Sequence, residues 1–452
     1  MAGFRLKKNM LIGTASAATQ IEGGNLDHSW MDWAKRGYIT DGTSPARAND
    51  HFRLWEEDAR LMGELGMQIC RMGVEWARIE PEEGVFSEAA LAHYVREIEF
   101  IKAQGIKVLV TLHHFTNPMW FERRGAFEKK ENIAVFIRFI AKVVRTFGPL
   151  VNEYITINEP NVYAVNGYYF GAWPPGKKTL AGTLAVMSHL AQAHILAYRK
   201  IHELRAKMGY ADTKVSYANH LRIFIPRNPA KASDRFFAKL MDRLFQGSLS
   251  KAMCLGRFDF PFRKGGLTRD ERSPVKKLDD AGEAPPAAGF CDFHAVNYYT
   301  RGTVTKFQDR VKADSFKNDL GWEIYPPGIV LAAQKLYDLC PLPIYITENG
   351  TCDNDDRFRS LYLYEHLKAL CESDLPVERY YHWCFTDNFE WVEGESARFG
   401  IVHVDYETQK RTVKKSGEFL RTVILNGGVD DAAYEQFVAG CRYEPGCIGG
   451  PR

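Results

Sequence analysis

Short apolar runs at 10–17, 68–74, 107–112, 154–159, 214–220, 292–299, 344–348 and 379–385 recur along the chain, separated by longer segments of helical period. The runs are continuously apolar or β-branched rather than alternating, as parallel strands covered on both faces should be. Between them, 88–104 sets Leu91, Val95, Ile98 and Ile101 on one helical face and stops at Gly105. Residues 131–147 do the same with Ile133, Phe136, Ile137, Ile140 and Phe147, and 181–209 and 356–372 look similar. Eight strand-then-helix units predict an α/β fold, a single (β/α)8 TIM barrel with elaborated βα loops. A doubly wound open sheet shares the alternation, but no GxGxxG follows the first run. Two stretches break the rhythm. Residues 222–290 turn polar and Pro-rich (Pro274, Pro285, Pro286) and read as an excursion between strands five and six. Residues 426–452 are Gly-rich, end in Gly-Gly-Pro-Arg, and are expected to form a poorly ordered tail. No fixed-period repeat or low-complexity linker divides the chain, so 1–452 is taken as one domain.

Composition narrows the partners. The net charge of +3 comes from 59 basic and 56 acidic residues, a balance that gives no footing for nucleic acid or an anionic membrane. The nine cysteines are odd in number and lack CxxC pairs, so they form no disulfide framework and fit a reducing compartment. The apolar stretch after Lys7 and Lys8 is too short for a signal peptide and is interrupted by Thr14 and Ser16. No apolar run reaches transmembrane length. A cytoplasmic location is expected. Nothing in the composition sets the oligomeric state.

In such a barrel, chemistry gathers where the strands end. Polar residues stand at those positions: Gln20 and Glu22 after strand one, Arg71 in strand two, His113 and His114 after strand three. They continue with Asn158 and Glu159 at strand four, Asn297 and Tyr299 at strand six, Glu348 at strand seven and Trp383 in strand eight. Two carboxylates close apolar strands, Glu159 in Ile157-Asn158-Glu159-Pro160 and Glu348 in Ile346-Thr347-Glu348-Asn349-Gly350. Strands four and seven lie nearly opposite, so both acids can face one cavity. A pair of acids flanking a bond is the equipment of glycoside hydrolysis; two capping or salt-bridged glutamates would look the same in sequence. His113 and His114 do not make a metal site, because neighbours on a strand point to opposite faces and no Cys or carboxylate cluster joins them. His113 reads as a packed residue and Glu22 as the partner of an Arg. No metal and no cofactor is expected.

Six motifs in order resemble glycoside hydrolase family 1, the β-glucosidase and β-galactosidase family: 13–23 (GTASAATQIEG), 111–118 (TLHHFTNP), 156–160 (TINEP), 292–300 (DFHAVNYYT), 345–350 (YITENG) and 383–391 (WCFTDNFEW). The similarity runs to about residue 422. It implies a retaining β-glycosidase acting on terminal, non-reducing β-D-glucosyl, galactosyl or fucosyl residues of O-glycosides. Carried residue by residue, it makes Glu348 the nucleophile and Glu159 the acid/base. Arg71 and Tyr299 would support Glu348 and keep it ionised. Gln20, His114, Asn158, Asn297, Tyr299, Trp322, Trp383, Glu390 and Trp391 would bind the sugar, with Trp322 on the leaving-group side. The partner implied is a small β-glycoside or oligosaccharide.

Departures from the family pattern bear on substrate. The thioglucosidase branch has Gln where this chain has Glu159, so O-glycosides are favoured. The phospho-glycosidase branch uses Ser, Lys and Tyr where this chain has Glu390, Ala397 and Phe399; Glu390 would repel a phosphate, while Arg398 nearby could bind one. Glu395, Phe115, Thr116, Cys70 and Gly73 also replace commoner family residues. A 6-phospho-β-glycosidase and a non-catalytic carbohydrate-binding barrel are the alternatives.

Overall fold

The computed structural model describes residues 3–262 and 289–443. Eight strands close a barrel in chain order: β1 (Leu11–Ala15), β2 (Ile69–Gly73), β3 (Lys107–Thr111), β4 (Glu153–Asn158), β5 (Lys214–His220), β6 (His294–Asn297), β7 (Ile344–Asn349) and β8 (Val377–Trp383). Every neighbouring pair is parallel, and β8 closes on β1 through Arg379–Leu11 to Trp383–Ala15. Each of the eight apolar runs supplies one strand. All residues of β4 and β7 are buried, which explains why neither alternates.

The principal helices wrap the outside: α1 (His51–Glu64), α2 (Glu88–Ala103), α3 (Ile133–Phe147), α4 (Leu180–Lys207), α5 (Ser248–Leu255), α6 (Pro327–Leu339), α7 (Arg359–Glu372) and α8 (Lys415–Asn426). Helix α2 begins at Ser87, whose hydroxyl accepts from Ala90 N–H, and stops before Gly105 at φ 81°. Its face of Leu91, Ile98 and Ile101 is buried, with Val95 at the edge. Helix α4 is 28 residues long and, by length and composition, apolar enough to cross a membrane. That corrects the expectation that no segment reaches such length. Here 61% of its apolar window is buried, packed on α3 and α5.

The excursion after β5 carries a strand, Ile223–Pro226, in a three-stranded sheet with Arg301–Thr305 and Gln308–Arg310, and then helix Ala232–Asp242. Its Pro274, Pro285 and Pro286 lie outside the described residues. Within the stretch expected to be loose, Gly428–Val429 pairs antiparallel with Phe4–Arg5, and helix Asp431–Phe437 follows. The final Gly-Gly-Pro-Arg lies outside the described residues.

One buried ionic network ties α1 and α2 to the strand Arg411–Val413. His51 Nδ1 lies 2.7 Å from Asp58 Oδ2, and its Nε2 lies 2.9 Å from Glu97 Oε1. Arg411 donates to both Asp58 oxygens at 2.8 and 3.0 Å. Burial alone would discharge His51, but Glu97 and Asp58 outweigh it and push its pKa up to about 10. A raised histidine stabilises the fold fully below its unfolded pKa of ~6.5, and the contribution fades as pH climbs to about 10. His51→Leu would leave Glu97 buried without its nearest cation, at a cost of about 3–5 kcal/mol. The measurement is the denaturation midpoint against pH: the wild type should lose stability between neutral pH and about 10, and the variant should lack that slope.

Candidate active site

The C-terminal mouth of the barrel opens onto a cavity of about 410 Å³, a size suited to a small ligand. Its wall contains Glu159, Glu348, His114, Tyr299, Trp322, Trp383, Glu390 and Trp391. The two acids arrive from opposite sides. Glu159 follows β4 at φ 42° and ψ 60°, a left-handed conformation that costs a non-glycine residue of order 1–3 kcal/mol. Pro160 opens the next helix, where its missing N–H does no harm, and it disfavours the right-handed conformation at Glu159. The combination fixes the direction in which the Glu159 carboxyl leaves the strand. Glu348 is the penultimate residue of β7. Gly350 follows where a Cβ would stand 2.0 Å from the Trp383 carbonyl oxygen, so the turn after the acid admits glycine alone without displacement.

The Glu348 carboxylate is gripped at both oxygens. Arg71 Nη1 donates to Oε1 at 2.6 Å, and the Tyr299 hydroxyl donates to Oε2 at 2.6 Å. Arg71 is fully buried and spends its other donors on Asn158 Oδ1 at 2.6 Å, Thr111 Oγ1 at 2.9 Å and the Thr347 carbonyl at 3.2 Å. From Asn158 the network runs to Asn297, whose amide donates both to Asn158 Oδ1 at 3.0 Å and to Glu159 Oε1 at 2.8 Å. One chain of hydrogen bonds therefore connects the two acids beneath the cavity.

The support expected for Glu348 is present, but its net effect differs from expectation. Burial pushes the carboxyl up to about 7, against Arg71, which lowers it, and with Glu159, which raises it further. A carboxylate that must be ionised to act then loses activity as pH falls through about 7, rather than near the usual carboxyl range. Tyr299→Phe removes one donor to the charged form. The acid limb of kcat/KM should move to higher pH in that variant, and a limb that stays in place would disprove the role of the hydroxyl.

The remaining predicted residues fall into two sets. Trp383, Trp391 and His114 form one wall, with the imidazole 5.7 Å from each indole. Asn158 Nδ2 donates to His114 Nε2 at 2.9 Å, and burial holds His114 neutral, far below its ordinary pKa. Its Nδ1 then carries the hydrogen and has no protein partner. Burial lifts Glu390 to about 8, partly opposed by the Gln20 amide, so it sits protonated near neutrality. Gln20, Asn158, Asn297 and Arg71 are not in the wall; each lies one hydrogen bond behind it. Gln20 Nε2 donates to the Phe389 carbonyl at 2.8 Å and to Glu390 Oε2 at 3.1 Å, while its Oε1 is unpartnered. Trp322 flanks the mouth beside Tyr299, at 5.9 Å and 75°.

Glycosyl hydrolase family 1 is the family whose sequence model matches this chain, over residues 4–429. The chain belongs to glycosyl hydrolase family 1. Beta-glucosidase A of Thermotoga maritima is 31% identical over 94% of this chain and 99% of that protein. A β-glycosidase structure from Pyrococcus horikoshii superposes with a TM-score of 0.83 at 31% identity, covering 97% of this chain and 99% of that one. A β-glucosidase structure from Thermotoga maritima in complex with glucoimidazole gives 0.83 at 29% identity, covering 94% and 100%. The protein is an O-glycosyl hydrolase of the β-glucosidase kind, built as a (β/α)8 barrel.

Other expectations for the glycosidase resolve at this level. Glu22 pairs with Arg78 at 2.8 Å and accepts from Tyr94 at 2.7 Å, a structural site. His113 is packed edge-on against Phe127, Phe136 and Tyr163, with Nε2 3.0 Å from Asn117 Oδ1. Arg398, the side chain that could have bound a phosphate, is occupied by Asp387 at 2.9 Å and the Val404 carbonyl at 3.1 Å. Among the described residues, no three His, Cys, Asp or Glu side chains gather as a metal site. The wall residues that the sequence reading missed include His220, Arg222 and Trp173. His220 ends β5 and lies 3.1 Å from Glu159 Oε1, so the rule used for the other strands would have found it. Arg222 stands two residues further on. Trp173 sits in a loop after Phe170 and carries no strand-end signal.

Proposed function

We propose that this glycosidase hydrolyses unphosphorylated β-D-glucosides, and related galactosides or fucosides, with net retention of configuration. The observation that carries the proposal is the double grip of Arg71 and Tyr299 on Glu348, in a cavity that Glu159 also lines. In the first step a Glu348 oxygen bonds to the anomeric carbon while Glu159 gives its proton to the departing oxygen. In the second, Glu159 takes a proton from water, the water oxygen bonds to the anomeric carbon, and the Glu348 ester breaks. Two inversions give retention, a geometry that asks for carboxyl groups about 5–5.5 Å apart. Gln20, His114, Glu390 and Trp391 would hold the hydroxyls, Trp383 the ring face, and Trp322 the leaving group. Arg398 being engaged by Asp387 supports an unphosphorylated sugar.

All eight described cysteines are free, which supports a reducing compartment, and fractionation of the source cells would test a cytoplasmic location. A panel of aryl β-glucoside, galactoside, fucoside and glucoside 6-phosphate, followed by NMR of the first sugar released, tests the activity. The β-anomer should appear first, with the phosphorylated substrate slowest. An initial α-anomer, or a preference for the phosphate, overturns the corresponding part.

A further inference from the structure

The imidazole at the end of β5 stands against the acid/base carboxyl and has no part in the scheme above. Glu159 Oε1 lies 3.1 Å from His220 Nδ1 and also accepts from Asn297 Nδ2 at 2.8 Å. Among the described residues, nothing donates to Oε2. The two oxygens of one carboxyl are therefore unequal: one is held inside the protein, and the other is left for the cavity.

The imidazole itself is fixed. It stacks on Tyr299 at 5.9 Å and 19°, and meets Phe245 edge-on at 6.0 Å and 86°. Its carbonyl accepts from Asn161 Nδ2 at 2.8 Å, and Leu221 N–H donates to the Asn297 carbonyl at 2.9 Å. Tyr299 is also the donor to Glu348 Oε2, so the ring rests on the residue that orients the opposing acid.

We propose that His220 is a positioning residue for the acid/base. Its Nδ1–H, with the Asn297 amide, fills Oε1 and reserves Oε2 as the oxygen that carries the mobile proton. This rests on the assignment of Glu159 as acid/base. In the first step the proton leaves Oε2 for the departing oxygen as that oxygen's bond to the anomeric carbon breaks. The new carboxylate keeps two donors on Oε1, which stabilise its charge. In the second step Oε2 receives a proton from water as the water oxygen bonds to carbon and the Glu348 ester breaks. Without the imidazole donor the carboxyl can rotate and place its proton on the wrong oxygen, which penalises only reactions that need the proton.

The test compares His220→Ala, His220→Asn and Glu159→Ala with the wild type on an alkyl β-glucoside and on dinitrophenyl β-glucoside. In His220→Ala, kcat/KM should fall about tenfold or more on the alkyl substrate but no more than about threefold on the dinitrophenyl one, since proton delivery matters only for the former. In His220→Asn the side-chain amide nitrogen stands where Nδ1 was, so the alkyl rate should recover most of that loss. Equal losses on both substrates, or a folded His220→Asn no better than His220→Ala, overturn the proposal. Thermal melting of each variant separates a folding defect from these outcomes; if His220→Ala fails to fold, His220→Asn decides alone by keeping or losing the wild-type ratio of the two rates. Glu159→Ala should show the same imbalance, more strongly. If it does and His220→Ala does not, only the positioning role fails; if Glu159→Ala shows none, the acid/base assignment itself fails.

Discussion

Glu348→Gly is expected to lower kcat on dinitrophenyl β-glucoside by at least about 10⁵-fold, because the covalent route disappears altogether. The substitution also removes the carboxylate from Arg71, which is completely buried and donates to it at 2.6 Å. A buried cation that loses its partner costs about 3–5 kcal/mol, so the variant should melt well below the wild type. Both defects have one remedy. Azide is a small anion and a nucleophile; in the vacated space it can pair with the guanidinium and attack the anomeric carbon. Adding azide should raise the melting midpoint by mass action and restore turnover. The product should be the α-glycosyl azide, since a single displacement inverts. A rescued rate that yields the β-azide, or no rescue by azide or formate in a folded variant, would exclude Glu348 as the nucleophile.

Much of this site was legible because its residues sit on strands. A strand buried on both faces reads as an unbroken apolar run, and a carboxylate at its end is conspicuous. That locates Glu159, Glu348, Asn297 and Arg71 without knowledge of any loop. What the pattern cannot convey is depth. Arg71, Asn158 and Gln20 each lie a hydrogen bond behind the wall, linked to Glu348, His114 and Glu390, which form it. Depth also decides charge. Arg71 and Tyr299 beside Glu348 suggest a firmly ionised acid, and only the extent of burial reveals a carboxyl pushed up to about 7. Loop residues were harder. Trp173 reaches the wall by packing on Phe115 at 4.9 Å and Trp30 at 5.3 Å, contacts between chain segments far apart in sequence. Arg398 could bind a phosphate on sequence grounds, but Asp387, eleven residues earlier, holds it.

Glu159→Ala is expected to divide substrates by leaving group. On an alkyl β-glucoside, where departure needs a proton, kcat/KM should fall about 10³- to 10⁴-fold, the upper range for general acid catalysis. On dinitrophenyl β-glucoside, whose leaving group departs as an anion, the same parameter should change far less. The second step still lacks its base, so the glycosyl-enzyme should accumulate, visible as a burst of dinitrophenolate followed by slow turnover. Azide needs no base and should relieve that block. Here it attacks an intermediate that Glu348 has already inverted, so the product is the β-glycosyl azide, opposite to that from Glu348→Gly. The anomer thus identifies the acid that was removed. Asn297 and His220 hold Glu159 through one oxygen, and among the described residues no buried arginine contacts it as Arg71 contacts Glu348, so the fold should suffer less than in the Glu348 variant. Equal losses on both substrates, or an α-azide from this variant, would assign the proton transfer to another group.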